Sequence, residues 1–216
     1  MGVQRAARRR RLAPDARRAE ILAAARRLFG AHSYSAVSLT DIAAEAGAAR
    51  ALIHHYFGSK RQLYLAVVRQ VMVVPASVSQ RLPAAGARER LSICVDRWLQ
   101  VVENSREMWL SAIDLDLIGR DPDIDQIMFE ADEAAIDCVL EAAMMGEVTE
   151  GRQKLRALVR AHSGMLKAAS REWLVRGTLE RGDLQVMLTD TALHLVEVVF
   201  PELIARSVKS LGCEAG

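Results

Sequence analysis

One stretch restricts the possible folds of this chain more than any other, and it reads VSLTDIAAEAGAARALIHHYFGSK. Ser38 is followed three residues later by Asp41, which is the capping-box pattern of a helix start. Gly47 is a typical helix stop. The apolar residues predict one short helix at about 39–46 and a second at about 49–56. Two short helices joined by a tight turn that contains glycine are typical of a helix-turn-helix motif.

Helical periodicity continues on both sides of this motif. One stripe of apolar residues predicts a helix that starts near Asp15 and ends near Gly30, and another predicts a helix capped by Ser59. Five long helical patterns follow, at 88–104, 106–118, 122–145, 151–177 and 183–210. We expect Asp183 to cap the last of them and Pro201 to kink or interrupt it. Strand signals such as Asn-Gly hairpin turns are nearly absent, so the sequence predicts an all-α fold.

Charge is divided unevenly along the chain. Residues 1–73 contain 13 basic and 4 acidic residues, a net charge of +9, whereas residues 74–216 carry −7. This division suggests a polyanion-binding head on a body with another task. The alternative is a solvated basic tail, but without residues 1–11 the head still carries +4.

Composition changes predict three regions. We expect a basic disordered tail at 1–12, a basic helix-turn-helix domain at 13–73 that suits DNA, and a larger helical domain at 74–216. Prolines and a glycine near residues 74–87 mark the boundary between the last two regions.

Several classes of protein are disfavoured. No run of about 18 uncharged apolar residues suggests a membrane span, and no apolar segment follows the basic start as in a signal peptide. The cysteines, Cys94, Cys138 and Cys213, form no CxxC pair and fit a reducing compartment, so we expect a cytoplasmic protein. Nucleotide-binding, hydrolase and zinc-protease motifs are absent, which predicts no enzyme, no catalytic residues and no cofactor.

The run from Ile21 to Val68 resembles the TetR family of transcriptional regulators. The family pattern is matched by Ser38, Ile42, Ala43, Ala46, Gly47, Ile53, Phe57, Lys60 and Leu63. The resemblance implies an N-terminal three-helix helix-turn-helix domain that binds DNA and a larger C-terminal helical domain that binds a ligand and dimerises. The chain departs from the family pattern at Ala49 and Ala51, and it has His54 and Tyr56 where the family has the two ring types exchanged.

Eight residues are predicted to contact DNA. They are Ser38, Thr40, Arg50, Ala51, Leu52, His54, Tyr56 and Lys60. Arg50 lies near the start of the second short helix, where a guanidinium can pair with guanine O6 and N7; the alternative is a solvated surface arginine. Ser38 and Lys60 lie at helix N-termini, which favour phosphate, and the family positions of His54 and Tyr56 hold phosphate.

Other roles stay open in this region. The arginines of the tail, residues 8–11, either enter a neighbouring minor groove or attract DNA nonspecifically. His55 has no predicted role.

Two sets of residues are of the types that bind metal ions. His54 and His55 are adjacent, hence about 100° apart around a helix, and cannot easily converge on one ion. Asp121, Asp123 and Asp125 have the spacing of a calcium loop, but the required glycine and glutamate are missing. A helix cap at Asp121 is the better interpretation, and we predict no metal site.

The body is predicted to hold an effector and a dimer interface. Candidate pocket residues are Trp98, Met108, Trp109, Met128, Phe129, His162, Met165 and Trp173. Asp114, Asp116 or His162 would orient a polar group of the effector, although His162 also fits a satisfied core histidine. The patterns at 151–177 and 183–210 are apolar on two faces, which suggests a homodimer through these helices; burial of both faces within one chain is the alternative.

The leading hypothesis is a ligand-responsive transcriptional repressor. It would bind a palindromic double-stranded DNA operator as a dimer and be released by a small apolar or aromatic effector. A helical enzyme with an incidental helix-turn-helix and a DNA-binding module that senses no ligand are the rival hypotheses.

Overall fold

Helices account for all the regular secondary structure in the part of the chain that the structure describes, which confirms the predicted all-α fold. The computed structural model describes residues 14–113, 119 and 121–213, with side chains as far as Ser207. The α-helices of these residues are α1 (Pro14–Ala31), α2 (Leu39–Glu45), α3 (Arg50–Phe57), α4 (Lys60–Met72), α5 (Ala87–Glu103), α6 (Arg106–Ile113), α7 (Pro122–Ala142), α8 (Arg152–Arg171), α9 (Arg181–His194) and α10 (Phe200–Cys213).

The chain forms two compact units, and the division falls inside α4 between Val67 and Val68. This division by compactness does not test the predicted domain boundary between residues 73 and 74, which stays a prediction. The predicted tail at 1–12 lies outside the described residues.

The N-terminal unit is built around a small apolar core. Helix α1 packs on α2, and α2 packs on α3. Ile21 on α1, Ile42 on α2, Ile53 on α3 and Leu63 on α4 are all fully buried. Burial of each such side chain is worth roughly 1.5–3 kcal/mol, so these four positions fix how the short helices pack.

The C-terminal unit is a bundle of long helices. Helix α5 packs along α9, and α7 packs along α8. Leu99, Ile136, Leu155 and Leu188, one from each of these helices, have no exposed surface. The apolar stripes of the sequence therefore form one continuous core in this unit.

Two helix starts show how acidic residues act as caps. Asp121 accepts a hydrogen bond from the Asp123 backbone N–H at 3.1 Å, and Pro122 follows as the first helical residue of α7. Helix α9 starts at Arg181, and its N-cap residue is Glu180 rather than the predicted cap Asp183. The prediction was wrong because Asp183 is the third helical residue, where its carboxylate accepts from the Glu180 backbone N–H at 2.8 Å.

Both long C-terminal helices change pitch near their ends. Helix α8 continues into a π-helical segment, Glu172–Arg176, which ends at Gly177 in a left-handed conformation. A second π-helical segment, Leu195–Val199, joins α9 to α10 just before Pro201. Proline has no backbone N–H group, so it cannot donate an α-helical hydrogen bond. The wider π-helical turn lies directly before the position where that hydrogen bond is missing.

The described helices include none that combines the length and apolarity needed to cross a bilayer.

Candidate nucleic-acid interface and C-terminal cavity

A capping box fixes the start of α2. The Ser38 hydroxyl oxygen accepts from the Asp41 backbone N–H at 3.1 Å, and the Asp41 carboxylate accepts from the Ser38 backbone N–H at 2.9 Å. The side-chain and backbone hydrogen bonds of Ser38 lower the pKa of Asp41. Thr40, next to the cap, is exposed. The first turn of α2 thus presents Thr40 outward on a fixed backbone.

Gly47 makes the turn between the two short helices. Its φ angle is +56°, a left-handed conformation that costs other residues about 1–2 kcal/mol. Ala46 and Ala48 close the turn by donating backbone hydrogen bonds to Ile42 and Ala43, both at 2.9 Å. A Cβ atom at Gly47 would meet no atom within 4 Å, so the need for glycine is conformational and not steric.

The orientation of α3 follows from its two buried residues. Ile53 and Phe57 are one helical turn apart and point into the core. Arg50, Ala51 and His54 are exposed. The interior anchors therefore determine which side chains the helix presents to a partner.

Arg50 is available for binding. Among the described residues it has no hydrogen bond, ion pair or ring contact. Ala49 before it caps α3 without a side-chain hydrogen bond, so the first backbone N–H groups of α3 receive no acceptor from that side chain. A cationic side chain at a helix N-terminus without a side-chain cap is an arrangement that suits an anion or a base edge.

The His54 ring forms a hydrogen bond within its own helical turn. Its Nδ1 atom lies 2.9 Å from the Gly58 carbonyl oxygen, and because a carbonyl only accepts, Nδ1 carries the hydrogen. A neutral ring then offers Nε2 as an acceptor only. A phosphate contact from Nε2 therefore requires the protonated ring. His55 is exposed and lies edge-on to the Tyr56 ring at 5.1 Å.

Lys60 is positioned by an aromatic residue that the sequence analysis missed. Its Nζ atom lies 4.3 Å from the centre of the Tyr34 ring. Tyr34 in turn packs against Phe29 and Tyr64, with ring centres 6.0 and 4.9 Å away. The signal available in the sequence was an aromatic residue within the polar segment AHSYS, and the structure shows that this residue, Tyr34, is exposed.

The remaining predicted contacts of α3 lie at the edge of this surface. Leu52 and Tyr56 are half-buried, as is Lys60 at the start of α4. Ser59 caps α4 as predicted, since its hydroxyl accepts from the Gln62 backbone N–H at 3.1 Å.

The described acidic residues at the start of α7 act as hydrogen-bond acceptors for backbone N–H groups. Asp121 caps the helix, and Asp125 accepts from the Gly119 backbone N–H at 2.7 Å. Among residues 14–113, 119 and 121–213, no group of His, Cys, Asp and Glu is arranged to hold a metal ion.

The C-terminal unit encloses a largely apolar cavity of about 70 Å³. Three predicted pocket residues, Trp98, Trp109 and His162, line it. The two indole rings meet edge-on with centres 5.4 Å apart. The Trp109 Nε1–H group is buried and has no hydrogen-bond partner among the described residues. One wall residue therefore has a buried donor without an acceptor among the described residues.

Five predicted pocket residues lie elsewhere. Phe129 is 57% exposed, because its neighbour Met128 occupies the buried side of α7. Met108 and Met128 are buried but do not line the cavity. Met165 lines an open groove on the other side of α8, and Trp173 is half-buried in the π-helical segment. Asp114 and Asp116 lie outside the described residues.

His162 is both a satisfied core histidine and a cavity residue. It is 5% exposed, and its Nε2 atom lies 3.0 Å from the Leu188 carbonyl oxygen and 3.1 Å from Thr191 Oγ1. Burial lowers the pKa of His162, and the Leu188 carbonyl opposes this. The ring is therefore neutral near pH 7 and donates from Nε2.

The sequence analysis missed several polar wall residues, among them two cysteines and an ion pair. Cys94 on α5 and Cys138 on α7 both line the cavity, and an ion pair joins Lys167 to Asp132 at 3.1 Å. Only the packing of helices distant in sequence brings these residues together, so no local pattern could have shown them.

Comparison with known proteins covers the N-terminal unit most closely. The profile described as bacterial regulatory proteins, tetR family, matches residues 21–67. The HTH-type transcriptional regulator BetI of Agrobacterium fabrum is 43% identical over 81 residues, which are 37% of this chain and 39% of that protein. The HTH-type transcriptional activator FasR of Mycolicibacterium smegmatis is 30% identical over 133 residues, 61% of this chain and 60% of that protein. The chain thus spans between two fifths and three fifths of the length of these relatives.

Solved structures share the fold over nearly the whole chain. A tetR-family transcriptional regulator from Streptomyces coelicolor superimposes with a TM-score of 0.67 at 22% identity, covering 92% of this chain and 90% of that one. The fatty acid degradation regulator FadR from Bacillus halodurans gives 0.60 at 17% identity, covering 83% and 98%. Such low identities show the fold alone. The profile match identifies residues 21–67 as a helix-turn-helix region of the tetR family of bacterial regulatory proteins, and the solved structures show that the chain shares their fold.

Proposed function

We propose that the protein is a ligand-responsive regulator that binds a palindromic DNA operator as a dimer, most simply as a repressor, and releases it when a small apolar effector enters the C-terminal cavity. The observation that carries this proposal is the exposed face of α3, with Arg50 unpaired among the described residues and the helix anchored from behind by Ile53 and Phe57.

Base recognition is assigned to Arg50. In a helix-turn-helix, residues near the N-terminus of the second helix reach base edges in the major groove. A guanidinium pairs with guanine through two hydrogen bonds, which discriminates against other bases by roughly 1–3 kcal/mol. Ala51 and Leu52 add apolar surface that suits a thymine methyl group.

Phosphate contacts would set the position of the motif on DNA. Ser38 and Thr40 begin α2, and Lys60 begins α4, so each adds a donor or a charge to a helix N-terminus. Tyr56 offers its hydroxyl, and His54 offers Nε2–H when the ring is protonated.

Dimerisation is assigned to the outer face of α8 together with the C-terminal helices. Ala157, Ala161, Gly164 and Ala168 recur along α8 at helical spacing and are all exposed. Open grooves beside them are lined by both apolar and charged residues, mainly of α8, α9 and α10, and Val198 is 41% exposed. Small residues allow a second copy to approach closely, and a twofold axis would then place two copies of α3 about 34–36 Å apart.

The cavity is assigned to the effector. Its wall is formed by α5, α6, α7, α8 and α9, together with Met72, the last residue of α4. Helix α4 begins at Lys60, which we assign to DNA. A ligand that displaces Met72 would therefore move the helix that carries a phosphate contact. By their names, FadR is a fatty acid degradation regulator and FasR is a transcriptional activator. Experiment therefore decides between repression and activation for this chain.

The proposal is tested by selecting double-stranded DNA from a random pool and by measuring the mass of the complex. We expect a palindrome to be enriched and two chains to bind it. Failure to enrich any sequence at low salt would contradict the DNA-binding role.

Dimerisation has its own variant and control. Ala161→Arg should yield monomers that bind the operator weakly, whereas Asn104→Arg, at an exposed position at the end of α5, should remain dimeric. Monomers that keep full operator affinity would refute the assigned interface.

Effector release is tested by titrating small apolar compounds into the protein–DNA complex. Loss of DNA with saturable dependence on the compound supports the ligand-responsive proposal, and no release across a broad panel favours a DNA-binding module that senses no ligand.

A further inference from the structure

We infer that the C-terminal cavity captures small apolar electrophiles of the enone class by covalent addition to the Cys94 thiol. This inference rests on the proposed function in taking the cavity as the effector site, and it adds the chemical class of the effector.

Two thiols meet at this cavity. Cys94 on α5 is 4% exposed and Cys138 on α7 is 9% exposed, and both line the wall. Neither forms a disulfide. A single buried cysteine commonly serves as a small apolar side chain, but two of them beside an unfilled volume are reactive groups that a ligand would contact.

The surroundings of Cys94 favour its thiolate. The neighbouring Cys138 thiol, followed by the guanidinium groups of Arg97 and Arg90, lowers the pKa of Cys94 although burial opposes the shift. Cys94 and burial both raise the pKa of Cys138, so this second thiol keeps its proton and can donate to a sulfur anion. The thiolate is the nucleophilic form of cysteine.

Hydrogen bonds hold the charged guanidinium group of Arg97 near Cys94. The Cys94 Sγ atom donates to the Val78 carbonyl oxygen at 3.5 Å, and Arg97 Nη1 donates to the same oxygen at 3.2 Å. Arg97 also donates to the Gln80 carbonyl oxygen at 2.7 Å. When Cys94 loses its proton, the Val78 carbonyl therefore keeps a charged donor.

The rest of the wall matches the other features of an enone. Trp98 lies one helical turn after Cys94 on α5, and its ring contacts the ring of Trp109. These apolar surfaces favour a hydrocarbon body. We assign the Nε1–H group of Trp109, which has no hydrogen-bond partner among the described residues, as the donor for a carbonyl oxygen.

The reaction conserves atoms and electrons without an oxidant. The Cys94 sulfur forms a bond to the β-carbon of the enone. The π electron pair of the carbon–carbon double bond forms a new double bond between the α-carbon and the carbonyl carbon, and the π pair of the carbonyl group moves onto its oxygen. The developing enolate oxygen accepts a hydrogen bond from Trp109, as negative charge in a buried site requires a donor. The proton lost by the thiol is delivered to the α-carbon, which leaves a thioether and a saturated ketone.

Size decides which probe to use. A cavity of about 70 Å³ holds more than one water but is well below the ~150 Å³ of an engineered cavity that binds benzene. Methyl vinyl ketone is a small enone, and butan-2-one is its saturated counterpart of nearly equal size. The pair separates covalent capture from simple occupancy of the cavity.

The experiment follows adduct formation on the full-length protein by intact mass and peptide mapping. Cys213 is replaced by serine throughout, so that Cys94 and Cys138 are the only thiols in the sequence tested. We expect methyl vinyl ketone to add to Cys94 in the folded protein, iodoacetate to leave Cys94 unmodified because the apolar wall disfavours a charged reagent, and butan-2-one to leave no adduct.

Two variants separate the roles of the thiols. Cys94→Ser should abolish the adduct. Cys138→Ser should slow its formation by roughly tenfold for each unit by which the pKa of Cys94 rises. Circular dichroism confirms that both variants fold, and labelling in urea confirms that the thiols of the native protein are reactive once exposed.

The outcomes distinguish the covalent chemistry of Cys94 from the role of the cavity as the effector site. A Cys94 adduct on the folded protein supports the inference, whether or not DNA is released. No adduct on the folded protein, with full labelling in urea, overturns it. Reversible release of DNA by butan-2-one without any adduct from methyl vinyl ketone also overturns the inference but supports the proposed function. A Cys94 adduct that leaves operator affinity unchanged overturns the effector role of the cavity and leaves the thiol chemistry standing.

Discussion

The two units of this protein present their candidate functional groups in opposite ways. The N-terminal unit buries Ile53 and Phe57 of α3 and leaves Arg50 and His54 in solvent. The C-terminal unit buries its candidate groups, among them His162 at 5% exposure. In the first unit, recognition and stability are carried by different side chains. In the second, the same side chains line the cavity and form the core, so a change there alters both properties.

The largest effect expected in the N-terminal unit comes from the interior side of α3. Ile53→Ala should lower the free energy of unfolding by about 2–5 kcal/mol, because it leaves a cavity in a fully buried site. Ala51→Ser, on the exposed side of the same helix, is the control and should change it by less than about 0.5 kcal/mol. Urea unfolding measures both. Equal losses would show that α3 is not anchored as described.

The turn should be sensitive to backbone conformation rather than to size. Gly47→Ala should cost about 1–2 kcal/mol because an L-residue resists the left-handed conformation at φ +56°. Gly47→Asn is the matched control and should cost less, since asparagine tolerates this conformation better. If both variants lost the same stability, conformation would not be the reason for glycine at this turn.

The buried histidine should make the C-terminal unit sensitive to acid. Burial lowers the pKa of His162 in the folded protein, whereas the unfolded chain titrates near the ordinary value of 6.5. The unfolded state then binds more protons between these two values. The contribution of His162 to stability is therefore complete above about pH 6.5 and is lost as the pH falls toward the folded pKa.

A variant isolates this contribution from the exposed histidines. His162→Gln should reduce the dependence of stability on pH by at most ~1.4 kcal/mol per pH unit, the limit for one proton. Unfolding curves between pH 5 and pH 8 measure the difference, in which the other histidines cancel. An unchanged dependence would mean that His162 is not buried as a neutral ring.

The smallest effect concerns the aromatic support of Lys60. Tyr34→Leu removes the ring beneath the Lys60 ammonium group and should weaken operator binding by about 0.5–1 kcal/mol, the range of an exposed cation–π contact. Tyr34→Phe keeps the ring and is the control. Equal losses in the two variants would indicate that the hydroxyl group, and not the ring, supports Lys60.

The two units also differ in how far the sequence could predict them. The capping box of Ser38 and Asp41 and the helix stop at Gly47 depend on residues within one turn of each other, so a local pattern was enough. The cavity depends on the rotation of each long helix about its own axis, because that rotation determines which side chains face the interior. Met128 and Phe129 are adjacent and both apolar, and periodicity did not show that only Met128 faces inward.

Distant contacts were beyond any local pattern. Cys94 and Cys138 are 44 residues apart and meet because α5 packs on α7. Lys60 meets Tyr34 through a loop whose path no helical period describes. Where a side chain acts through its immediate neighbours the sequence was sufficient, and where it acts through packing the structure was required.

The most direct test of the account measures operator affinity and unfolding free energy together for Arg50→Ala. We predict that the variant loses roughly 1–3 kcal/mol of affinity for its selected operator and tolerates changes at one base pair that the native protein rejects. Its unfolding free energy should change by less than about 0.5 kcal/mol, since Arg50 is exposed. Arg17→Ala, which removes one positive charge from α1, is the control and should keep base preference. Normal operator affinity and unchanged base preference in Arg50→Ala would contradict the assignment of α3 as the helix that reads DNA through Arg50.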